Sequence, residues 1–204
     1  LGTPPTRLLG GRLVLHQPPR GAGYRVNVDA LLLAREAAHG RGGGDQGPDS
    51  RVVDLGAGVG AVGLALLALG AAERAVLVER EPVYATLARA NGEAFPGRVE
   101  VVVADALEAS VPEAPLVVAN PPYTLASRGP APPEQRRAAA RSGELDPFVR
   151  AAARATLAGG RAVFVYPCSE LPALLHAAAD AGLGARAMRF VHASPDRPAR
   201  IVLV

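Results

Sequence analysis

Three features of the sequence predict an α/β fold, a mostly parallel sheet with helices on both faces. From Arg51 onward, apolar strand-like runs alternate with Ala/Leu-rich helical stretches, and right-handed crossovers between parallel strands place helices on both sides of a sheet. A glycine-rich segment, Gly56 to Gly63, follows the first of these strands and opens the first helix. The chain closes on two further strand-like runs, Arg186 to His192 and Ala199 to Val204, joined by Ala193-Ser194-Pro195-Asp196-Arg197-Pro198. That link leaves no room for a helix, so the two runs form a hairpin that adds an antiparallel element to the sheet.

Residues 1–11, rich in Pro and Gly, read as a loose lead-in. Arg12 to Gln17 alternates enough for a short strand, and Pro18-Pro19-Arg20-Gly21-Ala22-Gly23 supplies the turn that ends it. Ala30 to Ala37 reads as a helix, with Asn27 or Asp29 as its cap. Gly40 to Ser50, containing Gly42-Gly43-Gly44, reads as a mobile loop. The strands expected next are Val52 to Leu55, Ala75 to Glu79, Val99 to Ala104, Leu116 to Ala119 and Arg161 to Tyr166, with helices around 61–69, 82–91, 146–157 and 169–181. The chain thus divides into an N-terminal extension, residues 1–50, and a sheet domain, residues 51–204.

At 204 residues the chain suits one domain with a full core, and 49% apolar with 20% charged residues is an ordinary globular composition. All 22 basic residues are Arg, which codon bias explains more simply than selection for nucleic-acid contact, and the net charge of +3 permits a polyanionic partner without demanding one. A single cysteine, Cys168, rules out an internal disulfide and a cysteine-rich zinc site; it reads as a buried structural thiol in a cytoplasmic protein. His16, His39, His176 and His192 have no metal-ligand spacing, so no metal is expected. No apolar run approaches the roughly 18–20 residues of a membrane span, and no membrane partner is expected.

Gly58-Val59-Gly60-Ala61-Val62-Gly63 satisfies G-x-G-x-x-G at a strand-to-helix turn, where glycine lets a ligand approach the helix N-terminus closely. Alone, that pattern does not choose among nucleotide cofactors. The acids around it favour S-adenosylmethionine. Asp54 precedes Gly56, Gly58 and Gly60, where a carboxylate would repel a pyrophosphate but suits the ammonium of a methionine moiety, directly or through water. Glu79 ends the next strand, beside Arg80, and can accept both ribose hydroxyls; a dinucleotide site would also use an acid there. Asp105 ends the third, where it can accept from an adenine amino group while Ala104 and Ala106 leave space for the ring. Each acid also has a plainer reading as a helix cap or a solvated loop residue.

Asn120-Pro121-Pro122-Tyr123 follows the apolar run Leu116 to Ala119. Two prolines remove two backbone donors and leave their carbonyls free, so the corner is stiff and rich in acceptors. An exocyclic amine or amide nitrogen is a poor nucleophile because its lone pair is delocalised. Asn120 and the Pro121 carbonyl, accepting its two hydrogens, would draw it toward tetrahedral geometry, and positioning then supplies much of the acceleration. Tyr123 would stack on a planar substrate.

With this corner the chain resembles the class I S-adenosylmethionine-dependent methyltransferases that modify amino groups, over about residues 12–204. The resemblance implies a Rossmann-like, seven-stranded sheet, mostly parallel with an antiparallel last strand. The segment Gly23-Tyr24-Arg25-Val26-Asn27-Val28-Asp29-Ala30-Leu31-Leu32-Leu33-Ala34, with Gln17 before it and Arg197 to Val204 at the end, is similar to the bacterial transfer-RNA adenine N6-methyltransferase group. In that group the N-terminal element closes over the cofactor, which implies site roles for Tyr24, Arg25 and Asp29; the plainer reading pairs Arg25 with a carboxylate and makes Asp29 a helix cap. The resemblance makes RNA the expected partner, with transfer RNA as the leading substrate, and a monomer or weak dimer the expected state. Rivals are a release-factor glutamine N5-methyltransferase, a ribosomal RNA guanine N2-methyltransferase and a non-catalytic cofactor- or RNA-binding module. The sequence departs from the group in its long Gly40 to Ser50 loop and in residues 124–142, where Arg128, Arg136, Arg137 and Arg141 are the candidate phosphate contacts.

Overall fold

The computed structural model describes residues 4–23, 25–39, 49–121 and 145–204. It begins with an antiparallel hairpin of β1 (Thr6–Leu8) and β2 (Leu13–Leu15), turning through a 3-10 segment at Leu9–Gly11. The loose lead-in expected over residues 1–11 is therefore corrected from Thr6 onward. Gln17 secures the hairpin: its Nε2 donates to Thr6 Oγ1 at 2.9 Å and its Oε1 accepts the Val26 N–H at 2.8 Å.

Helix α1 (Val28–His39) follows. Asn27 is its cap, accepting the Ala30 N–H at 3.3 Å, a contact worth about 1 kcal/mol. Next come β3 (Val52–Leu55), α2 (Ala61–Ala68), β4 (Ala75–Glu79), α3 (Pro82–Gly92), β5 (Val99–Val103) and β6 (Ala114–Ala119). Beyond residue 144 lie α4 (Leu145–Ala155), β7 (Thr156–Pro167), α5 (Leu171–Asp180), β8 (Arg189–His192) and β9 (Ala199–Leu203).

The last seven strands form one sheet in the order β5-β4-β3-β6-β7-β9-β8. The first five pair in parallel, and β9 runs antiparallel to both β7 and β8. The closing hairpin and the mostly parallel sheet are thus as the sequence predicts. Strand β7 starts earlier than expected, because Thr156 faces Ala114 while Arg161 faces Leu116, so residues 157–160 bulge opposite Pro115. Cys168 is only partly buried, in the 3-10 turn after β7, which corrects the expectation of a buried thiol.

Strand alternation divides the core into two layers. Val52, Leu77, Leu116, Val118 and Val165 face α1, α2 and α3, and Val53, Val76, Val117, Phe164 and Tyr166 face α4 and α5. Every α2 residue from Ala61 to Leu67 is buried, so this helix, which the glycine loop opens, is held from all sides. Among the described residues, no helix is long and apolar enough to cross a membrane.

Candidate active site

Strand β3 neighbours β4 on one side and β6 on the other, so loops leaving the C-terminal ends of β3 and β6 diverge to opposite faces and open a crevice. A cavity of about 350 Å³ lies there, within the range of small-molecule sites. Gly56 and Gly58 line it from the loop after β3, and Glu79, Arg80 and Glu81 from the end of β4. Asp105, Ala106 and Leu107 line it after β5, and Asn120 at the end of β6. Tyr84 and Phe148 complete the wall.

Glu79 is 7% exposed, and both its carboxylate oxygens are engaged by backbone: Oε2 accepts the Gly58 N–H at 2.7 Å and Oε1 the Glu81 N–H at 2.8 Å. The acid therefore shapes the glycine loop as well as facing the cavity. Each oxygen keeps capacity for a second hydrogen bond, so the two fit a pair of vicinal hydroxyls.

Asp54 and Gly60 do not line the cavity. Asp54 lies beneath the loop, 2% exposed, with Oδ2 accepting the Gly63 N–H at 2.8 Å in the first turn of α2. Burial pushes its carboxyl up to about 7; the Gly63 N–H opposes that rise and the Glu79 charge adds to it. A nearby cation would bring it back down. Gly63 must be glycine, since a Cβ there would stand 2.5 Å from Leu77 Cδ2 and 3.4 Å from Asp54 Oδ2.

Asp105 braces the turn after β5 and borders the cavity. Its Oδ1 accepts the Leu107 N–H at 2.9 Å, as a turn-forming aspartate does, while Oδ2 faces Arg80 at 3.6 Å on the rim of the cavity. Arg80, 59% exposed, also reaches Glu81 at 3.6 Å. Asn120 is half-buried at the cavity wall and Pro121 is buried behind it.

Arg25 and Asp29 are not among the residues that line the cavity. Arg25 turns its Nη1 onto the Pro18 carbonyl, and Asp29, 2% exposed, accepts from Asn27 Nδ2 at 3.1 Å in the first turn of α1. Tyr24, Pro122, Tyr123, Arg128, Arg136, Arg137 and Arg141 lie outside the described residues.

Three positions at the cavity or its glycine loop escape the sequence reading. Phe148, 8% exposed on α4, packs against Gly56 at the crevice; a Cβ on Gly56, at φ +70°, would stand 3.1 Å from Phe148 Cζ. Tyr84 borders the cavity from α3. Asn91, 2% exposed, joins three segments: its Oδ1 accepts the His16 N–H at 2.7 Å, and its Nδ2 donates to the His16 carbonyl at 3.1 Å and the Val59 carbonyl at 3.0 Å. Its signal in the sequence is a polar residue continuing the buried stripe Ala85, Ala88 and Gly92. Among the described residues, no cluster of His, Cys, Asp or Glu could hold a metal ion.

A sheet of this order, with its antiparallel strand inserted next to the edge and acids at the ends of its first three parallel strands, has the architecture of the class I methyltransferases. The methyltransferase small domain family model matches residues 44–166, and the chain belongs to that family. It is 38% identical over 129 residues to the ribosomal RNA small subunit methyltransferase A of Methylobacterium radiotolerans, covering 61% of this chain and 42% of that protein. It is 30% identical over 144 residues to the tRNA1(Val) (adenine(37)-N6)-methyltransferase of Porphyromonas gingivalis, covering 67% of this chain and 54% of that one. The chain thus spans about half the length of these curated relatives. Among solved structures, the Thermus thermophilus 16S rRNA N2 methyltransferase, in complex with AdoMet and guanosine, superposes with a TM-score of 0.65 at 22% identity. That match covers 98% of this chain and 48% of the other.

Proposed function

We propose that this protein transfers a methyl group from S-adenosylmethionine to an exocyclic amino group of RNA, with adenine N6 in a transfer RNA as the leading target. The observation that carries this reading is the meeting, in one crevice, of the Glu79-pinned glycine loop with Asn120 at the end of the neighbouring strand. Two relatives named as RNA methyltransferases support it.

Bound S-adenosylmethionine supplies an electrophilic methyl on a sulfonium. Glu79 accepts the ribose hydroxyls, Asp105 accepts from the adenine amino group, and Asp54 balances the ammonium from beneath the loop. Gly56 and Gly58 let the ligand lie against the backbone, and Phe148 closes the apolar side of the cavity. Asn120 Oδ1 and the Pro121 carbonyl accept the two hydrogens of the target amine, turning its lone pair toward the methyl, while Pro122 stiffens the corner and Tyr123 stacks on the base. No strong base is needed before transfer, because the methylated nitrogen is cationic and sheds its proton to water.

The test is to incubate the protein with methyl-labelled S-adenosylmethionine and, separately, unmodified transfer RNA, ribosomal RNA and release factor, then digest and identify the labelled product. N6-methyladenosine from transfer RNA is the expected result. N2-methylguanosine or methylglutamine would replace the target, and absence of label despite cofactor binding would overturn the enzymatic reading. Asn120→Ala is expected to cut turnover by about a hundredfold or more while S-adenosylhomocysteine affinity stays within about twofold. Retained turnover would remove Asn120 from the reaction.

A further inference from the structure

Positive charge is segregated along this chain. Residues 1–27 contain Arg7, Arg12, Arg20 and Arg25 and no acid, the first being Asp29, so four positive charges sit there while the whole chain carries +3. The remainder is left at −1. Codon bias explains why the cations are arginines. It does not explain a stretch of this length without a carboxylate.

The structure presents three of these charges outward. In the β1–β2 hairpin, Leu13 and Leu15 are buried at 1% and 0% exposure, while Arg7 and its cross-strand partner Val14 form the outer face. Arg12 follows the tight turn at Leu9–Gly11, and Arg20 follows Pro18-Pro19. All three arginines are exposed, and among the described residues none has a side-chain partner. Arg25 is the exception, held by the Pro18 carbonyl.

This face is anchored to the reaction centre. Burial of Leu13 and Leu15 in the core fixes the hairpin to the domain. Directly after β2, both backbone groups of His16 are held by Asn91, whose amide also holds the Val59 carbonyl in the glycine loop. Further on, Gly23 lies against the Tyr84 hydroxyl at the cavity wall, so closely that a Cβ there would collide with it. The arginines therefore occupy a surface in fixed relation to the cofactor loop.

We propose that the β1–β2 hairpin and the turn after it form an RNA-binding arm, in which Arg7, Arg12 and Arg20 contact backbone phosphates and Asn91 fixes the arm's position relative to the glycine loop. The proposal rests on the RNA reading above. Phosphate suits the surface because the guanidinium fork matches its geometry. Among the described residues, the outer face offers Val14 as its apolar residue and no aromatic anchor of the kind that centres a protein interface.

The experiment measures affinity for whichever unmodified RNA the wild type methylates, by fluorescence anisotropy across a salt series, together with S-adenosylhomocysteine affinity by calorimetry. Releasing three phosphate contacts should reduce the slope of log affinity against log salt by about 2–3. At 0.1 M salt, that corresponds to a loss of about a hundredfold in the Arg7→Gln/Arg12→Gln/Arg20→Gln variant. Cofactor-product affinity should stay unchanged. Arg12→Glu alone should weaken RNA binding in the same direction, and Arg74→Gln, exposed before β4 at the opposite end of the sheet, should leave it unaltered. If the wild type methylates RNA and the triple variant keeps its slope, the arm is refuted and the function stands. If the wild type labels protein or no RNA at all, both readings fall.

Discussion

Lowering the pH through neutrality should weaken binding of any ligand that carries an ammonium, because Asp54 must be ionised to meet it. Its carboxyl is pushed up to about 7 from an ordinary 3.8 by burial. The folded protein holds this proton more tightly than the unfolded chain does. Asp54 therefore costs no stability below about pH 4, and its cost grows to about 4 kcal/mol as the pH rises to about 7. A bound ammonium favours the ionised form, so below about pH 7 binding must expel the proton and affinity falls about tenfold per unit. Between about pH 7.5 and 5.5 the loss is about 25-fold. Calorimetry with S-adenosylhomocysteine, in two buffers of different ionisation enthalpy, gives both the affinity and the protons released. 5′-Methylthioadenosine, which lacks the amino-acid portion, should show a flat profile. Asp54→Asn keeps an oxygen for the Gly63 N–H and should flatten the profile for both ligands. An unchanged slope in that variant, or an equal slope for methylthioadenosine, would refute the role given to Asp54.

Glu79→Gln leaves an amide donor facing the N–H of Gly58 or Glu81, and should lower S-adenosylhomocysteine affinity by about a hundredfold by calorimetry; a loss below about threefold would make Glu79 a loop brace alone. Asn91→Leu strips partners from His16 and Val59 and should cost about 2–4 kcal/mol by denaturant unfolding, with faster proteolysis at the N-terminal hairpin. Unfolding unchanged by that substitution would show the three segments to be independent.

How far the sequence reveals the fold depends on what marks each boundary. β4 is legible to the residue because an apolar run stops at Glu79 and Pro82 opens the next helix. Of the first hairpin, β2 shows in the alternation of Arg12 to Gln17, but β1 is hidden because its three residues are too few to show alternation and Pro4-Pro5 and Gly10-Gly11 read as punctuation. Site acids are legible for a topological reason, since parallel strands deliver their C-terminal residues to one edge. Their hydrogen bonds are not. Nothing local in the sequence says that Glu79 turns onto Gly58, or that Phe148, from a helix on the opposite face, meets Gly56. These depend on packing between segments far apart in the chain. Arg25 and Asp29 likewise engage partners within their own segment, the Pro18 carbonyl and Asn27 Nδ2, which residue pattern alone does not indicate.

The two carboxylates at the glycine loop explain why ligand and fold should be linked. Glu79 holds the Gly58 N–H, and its charge makes Asp54, already desolvated, harder to ionise. An apolar substitute for Asp54 would avoid the cost but leave the Gly63 N–H buried without its acceptor. The ligand-free protein thus carries a compromise at this point. A cation bound above the loop relieves it by stabilising both negative charges, and the stabilisation is largest where Asp54 would otherwise be charged without a partner. The rise in melting temperature on saturating with S-adenosylhomocysteine should accordingly be greater at about pH 7.5 than at about pH 5.5, and Asp54→Asn should erase that difference. An equal rise at both pH values in the wild type would mean that the ammonium is balanced elsewhere.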